Sequence, residues 1–197
     1  MLNMTQWNLL TTIGLAGGIV AALLVGKPLD QLVGAMIVTA ILTCLVGAFL
    51  GGMQAVYLRQ LLARPIWWVV ATVAGMGIGL AVGAVLVEQV GTLISGHRPQ
   101  IVQLTPALRA LSFAVLGLVS GTILGFSQWL VLRRQRPTIQ RWIPTSAVAL
   151  ALAFPASSLI VDAFAGGIAS PVGLITFVLA SGLAFGAITS GPLRRAV

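Results

Sequence analysis

Acidic side chains are almost missing from this chain. Asp30, Glu88 and Asp162 are the whole set among 197 residues, beside one histidine, His97, and one cysteine, Cys44. General acid–base catalysis needs a positioned pair of titratable groups, a zinc or iron site needs several nitrogen, sulfur or carboxylate ligands, and an activated nucleophile needs a neighbouring base. So small an inventory offers none of these at helical spacing, and the expectation is a protein that is not an enzyme. Haem or chlorophyll would want histidine in an apolar segment, so no cofactor and no metal is expected. Gly26-Lys27 lacks the upstream glycine spacing of a phosphate loop. Ser127 follows a glycine, but its one possible base, His97, is expected on the opposite side of a membrane. With a single cysteine there is no intramolecular disulfide.

Charge as a whole is scarce too. Only 7% of residues are charged and 58% are hydrophobic, whereas a soluble domain carries about 25% charged residues. The charges are also segregated, leaving uncharged stretches at 1–26, 31–58, 65–87, 110–132, 142–161 and 163–193. A helix rises 1.5 Å per residue and needs about 20 residues to cross a hydrocarbon core of about 30 Å. An unpaired charge at mid-membrane costs at least about 2.5 kcal/mol. Six gaps of spanning length predict an all-α integral membrane protein in one domain. The expected helices cover 7–25, 31–58, 65–87, 107–132, 142–161 and 171–190. A turn at Gly26-Lys27-Pro28 should end the first, and Pro155 should kink the fifth. The first segment has no basic leader and no small-x-small cleavage site, so it reads as a span and not as a removed signal.

What charge there is falls on one side. The 59–64 link, the 133–141 loop and the tail hold Arg59, Arg64, Arg133, Arg134, Arg136, Arg141, Arg194 and Arg195 and no acid. The opposite loops hold Lys27, Arg98 and Arg109 with all three acids. The positive-inside rule puts the eight-arginine side, and with it both termini, in the cytoplasm. Trp7, Trp67, Trp68, Trp129 and Trp142 fall near the same side, where amphipathic rings favour the headgroup level. The net charge of +8 is therefore read as topology, and no nucleic-acid partner is expected.

A recurring pattern organises these helices. Sliding 47–68 onto 121–142 matches Gly47/Gly121, Leu50/Leu124, Gly51/Gly125, Gln54/Gln128, Leu58/Leu132, Arg59/Arg133 and Trp68/Trp142. A second slide brings Gly121, Gly125, Leu132, Arg133 and Arg134 onto Gly182, Gly186, Leu193, Arg194 and Arg195, with Thr189 in place of the glutamine. Three tandem helical hairpins describe this most simply. The run Gly125-Phe126-Ser127-Gln128-Trp129-Leu130-Val131-Leu132-Arg133 resembles the G-x-x-Q-W-x-x-L-R motif of small polytopic bacterial membrane proteins of unassigned function. That resemblance implies a bacterial inner membrane and no particular activity. Ala55 departs from the motif in the first copy, and the last lacks both Gln and Trp.

Glycines at four-residue spacing mark helix-packing faces: Gly47 and Gly51, Gly75 and Gly79, Gly117, Gly121 and Gly125, Gly182 and Gly186. In lipid such faces let backbones approach, either inside one bundle or against another subunit. Gln54, Trp68, Gln128, Trp129 and Trp142, together with the eight arginines, are the expected inner-rim contacts to anionic headgroups or a partner. The amides of Gln54 and Gln128 are also expected to hydrogen-bond a neighbouring helix or the last carbonyls of their own. Asp162 reads as a helix end exposed in the outer loop, or else as a proton or cation site. Glu88, His97, Arg98 and Arg109 are candidates for an outer cluster. The functional expectation is a non-catalytic scaffold or accessory subunit of a larger membrane complex. The alternative is a small transporter or channel for a neutral or weakly charged solute, which would need a polar mid-bilayer cavity reached by Gln54, Gln128, Thr43 or Thr122.

Overall fold

A computed structural model describes residues 4–33, 35–95, 104–133, 141–164 and 170–195. It is all helical among these residues, with α1 Met4–Val33, α2 Ala35–Leu58, α3 Ile66–Ser95, α4 Pro106–Leu132, α5 Trp142–Phe164 and α6 Pro171–Arg195. Each of the six is long and apolar enough to span a membrane. The surface agrees with that: Leu24, Val85, Leu111, Leu152 and Leu183 are each more than half exposed, one or more on nearly every helix. Gln54, Gln128, Thr11, Thr72, Thr189 and Ser146 lie inside instead. In water such a surface would be an aggregation liability; in lipid it is the solvated face. The chain is a multi-pass membrane protein.

Several helix ends differ from expectation. Gly26-Lys27-Pro28 does not stop the first helix, which continues to Val33, so the second begins at Ala35 and not at Gln31. Proline holds a helical φ and removes one backbone donor, and an otherwise continuous helix absorbs that loss. Gly191-Pro192 fails to end α6 in the same way. The third helix passes Glu88 and reaches Ser95, with Thr92 Oγ1 bonding the Glu88 carbonyl at 2.8 Å. At the start of α4, Thr105 caps the Leu108 amide and Pro106 occupies the first turn, where its missing N–H is no loss. Within α5, the Ser157 hydroxyl bonds the Ala153 carbonyl at 2.7 Å, so it does not serve the Ala151 carbonyl that Pro155 leaves free.

The helices form a closed ring. Each packs on its neighbours in sequence, and α1 packs on α6 to complete the circle. Glycine makes the close approaches possible. A methyl carbon built on Gly47 would lie 2.9 Å from Val73 Cα, on Gly79 3.0 Å from Ser120 Cα, and on Gly182 3.0 Å from Thr12 Cα. Gly51 faces Val69 and Thr72, Gly75 faces Leu124, Gly121 and Gly125 face Ser146, and Gly186 faces Asn8. Gly117 abuts the Leu150 carbonyl. Each of these glycines thus meets the next helix round the ring, and none of them opens outward.

Candidate functional site

One end of the ring carries the most organised set of polar side chains. It is the end where the odd helices begin and the even helices finish. Trp7, Trp68 and Trp142 each sit in the first turn of an odd helix, and all three are fully buried. Trp142 lies 5.6 Å from Trp68 and 6.2 Å from Trp7 between ring centroids, edge to face, and the Tyr57 ring lies tilted 5.5 Å from Trp7. Leu58, Leu62 and Leu132 close the cluster.

A buried indole N–H needs an acceptor, and here the preceding helix in the ring supplies it. Trp68 Nε1 donates to Gln54 Oε1 at 3.1 Å, and Trp142 Nε1 donates to Gln128 Oε1 at 3.1 Å. Trp7 Nε1 donates to Thr189 Oγ1 at 3.1 Å, which joins the two ends of the chain. Each glutamine then uses its amide nitrogen on the helix at its other side. Gln54 donates to Thr11 Oγ1 at 3.3 Å, and Gln128 to Thr72 Oγ1 at 3.0 Å. Gln54 therefore ties α1, α2 and α3 together, and Gln128 ties α3, α4 and α5. Each amide in lipid is worth about 1 kcal/mol per interhelical bond.

This corrects the expected rim. Gln54, Trp68, Gln128 and Trp142 do not reach headgroups or a partner; they are fully buried between helices. An indole that finds a buried acceptor has no need of the interface. Trp67, half exposed, does face outward, and Trp129 is partly buried against the tryptophan cluster. The Arg133 guanidinium lies over the Trp129 ring at 5.0 Å, with Phe126 stacked 5.9 Å from the same ring. Arg59, Arg64 and Arg141 are exposed at this end as well. Arg134 and Arg136 lie outside the described residues, and Arg194 and Arg195 are described only as helical backbone.

At the opposite end, Asp162 is not an exposed loop residue. It belongs to α5 and pairs with Arg109 of α4, Nη1 to Oδ1 3.2 Å, both side chains mostly buried. A charge at that depth needs a partner. The pair leaves Arg109 Nε and Asp162 Oδ2 without protein partners. His97 and Arg98 lie outside the described residues; among the described ones, Arg109 pairs with Asp162. Glu88 lines an open groove of about 420 Å³ with Gln89 and Thr92 near the end of α3.

The hydroxyls on the odd helices escaped the sequence reading. Thr11, Thr72 and Ser146 each follow a tryptophan by four residues, one helical turn, so ring and hydroxyl share a face. That Trp-x-x-x-[Ser/Thr] spacing was a usable signal. Thr43 and Thr122 turn out to bond their own helices, at Thr39 O and Leu118 O. Comparison of the chain with models of protein families, with curated proteins and with solved structures gives no match. The site has to be interpreted from its own geometry.

Proposed function

We propose that this protein is a non-catalytic scaffold or accessory subunit of a larger membrane complex. In this reading it is built from three tandem hairpins, α1–α2, α3–α4 and α5–α6, with both termini and the arginine rim in the cytoplasm of a bacterial inner membrane. The observation that carries it is the use to which the polar core is put. Gln54, Gln128, Trp7, Trp68 and Trp142 spend their hydrogen bonds on one another and on Thr11, Thr72 and Thr189. Side chains committed in this way hold helices in register and are not free to bind a substrate.

The hairpin reading draws support from the same bonds. The tryptophan of each hairpin donates to the even helix of the hairpin before it, and α6 serves α1 in the same manner. The glycine faces turn inward, so they leave no surface for a partner. That leaves the lipid-facing wall and the rim of Arg59, Arg64, Arg133 and Arg141 for contact with other subunits and with anionic headgroups, at about 1 kcal/mol for each basic residue near the surface. A solute crossing the ring would have to displace the tryptophan cluster, which weighs against the transport alternative.

Affinity purification in mild detergent, followed by mass spectrometry of co-purifying chains, tests the proposal. The expected result is a stoichiometric membrane partner that is lost when Arg59, Arg64, Arg133 and Arg141 are changed to Gln together. A chain that purifies alone and mediates solute flux in proteoliposomes would overturn it.

A further inference from the structure

The three hairpins are not equivalent at the tryptophan end, and the difference points to a guest. In two sectors a glutamine amide spans the gap from an indole to a hydroxyl: Trp68–Gln54–Thr11 and Trp142–Gln128–Thr72. The third sector would run Trp7–189–146. Residue 189 is threonine, and Ser146, fully buried, stands where Thr11 and Thr72 stand. Its Oγ has no protein partner.

Threonine reaches only half as far as glutamine. Thr189 Oγ1 accepts from Trp7 and donates to the Phe185 carbonyl at 2.8 Å. A hydroxyl has one donor and two lone pairs, so one lone pair remains. The threonine side chain is shorter by two heavy atoms, about the volume of one water. The seam is polar on its other flank as well. Asn8 of α1 takes the place that Val69 and Ile143 hold on α3 and α5, and its Oδ1 is buried without a partner.

We infer that the sector closed by α6 holds one water molecule between Ser146 Oγ and Thr189 Oγ1, where the other sectors place a glutamine amide nitrogen. This rests on the three-hairpin reading. The water would donate to the spare lone pair of Thr189 and exchange a second hydrogen bond with Ser146. It would satisfy a buried hydroxyl that apolar surroundings otherwise penalise.

The test is a map of the full chain in a lipid nanodisc at about 2 Å resolution, with a density peak about 2.6–3.2 Å from both oxygens expected. Thr189→Gln should remove that peak, place its amide on Ser146 and raise the folded-to-unfolded ratio about fivefold. Clear side-chain density with no peak at Ser146 would overturn the inference. The converse variant, Gln128→Thr, guards against a Thr189→Gln chain that fails to fold, and should open a second water site beside Thr72. Loss of stability in Gln128→Thr with no water in either sector would sink the water and spare the hairpin equivalence. Unchanged stability and no new peak would sink both.

Discussion

Gln128→Leu isolates what the polar layer contributes. Leucine keeps the bulk of the side chain and removes both hydrogen bonds, to Trp142 Nε1 at 3.1 Å and to Thr72 Oγ1 at 3.0 Å. Interhelical hydrogen bonds in membrane proteins average about 0.6 kcal/mol and reach about 1.7, so two account for about 1–3 kcal/mol. The indole N–H is then left unpaired in a fully buried cluster, which adds about 1–3 kcal/mol. Thr72 loses less, because its hydroxyl still donates to the Trp68 carbonyl at 2.8 Å. The sum is about 2–6 kcal/mol, or roughly thirtyfold and upward in the unfolding constant. Reversible unfolding in bicelles, read by steric trapping, covers that range. Trp142→Phe removes the donor, so the double variant should be less damaged than the two single variants added together, by about 1–2 kcal/mol of coupling. A Gln128→Leu cost below about 0.5 kcal/mol, or strict additivity with Trp142→Phe, would refute the claim that this layer holds the ring together.

Four further outcomes follow from the packing and the charges. Gly121→Ala should destabilise by about 2–4 kcal/mol, since its Cβ would sit 2.5 Å from the Ser146 carbonyl oxygen. Gly77→Ala meets nothing within 4 Å and should be neutral or gain up to about 1 kcal/mol of helix propensity, checked by the same unfolding assay. Asp162→Asn or Arg109→Gln alone should cost about 2–4 kcal/mol by stranding a mostly buried charge, and the double variant should recover much of that in thermal stability. Arg133→Gln should weaken binding of anionic phospholipid about fivefold in native mass spectrometry or lipid-competition assays, with the difference shrinking at high salt.

The span count was legible because bilayer energetics act on composition, and charge is removed wherever hydrocarbon lies. Helix ends were less so. Gly26-Lys27-Pro28 and Gly191-Pro192 look like stops, yet α1 and α6 run through them, because proline forbids a donor and not a helical φ. At the site, the recurrence of Gln54 and Gln128 was visible, and so was a hydrogen bond to a neighbouring helix as its structural use; which indole and hydroxyl each amide would meet was not. Tryptophan near a span end is ambiguous: the same amphipathic ring suits a headgroup layer or a buried acceptor. Only the partner decides, and Gln54 lies fourteen residues before Trp68 on another helix. Arg109 and Asp162 were similarly unreadable as a pair, being 53 residues apart. Extending α5 to Phe164 is what brings that acid against α4.

Why such a ring spends glutamine in its core follows from the solvent. In water, burying leucine drives helices together, and polar residues inside a bundle mostly subtract from stability. In lipid a leucine gains little by leaving acyl chains for another helix, so apolar contact alone selects neither partner nor rotation. Glycine faces such as Gly117–Gly121–Gly125 bring backbones close but allow sliding and rotation along the groove. An amide that must satisfy an indole on one side and a hydroxyl on the other allows neither. Rotating α4 by one residue, about 100°, would strand Trp142 Nε1 and Gln128 in apolar surroundings together. The polar layer is therefore the part of the chain that makes one arrangement of six similar helices better than the alternatives. If that is its role, Gln128→Leu should broaden the population of helix pairings seen by cysteine crosslinking between α4 and α5 as well as lower stability. Gly121→Ala should lower stability without mixing the pairings.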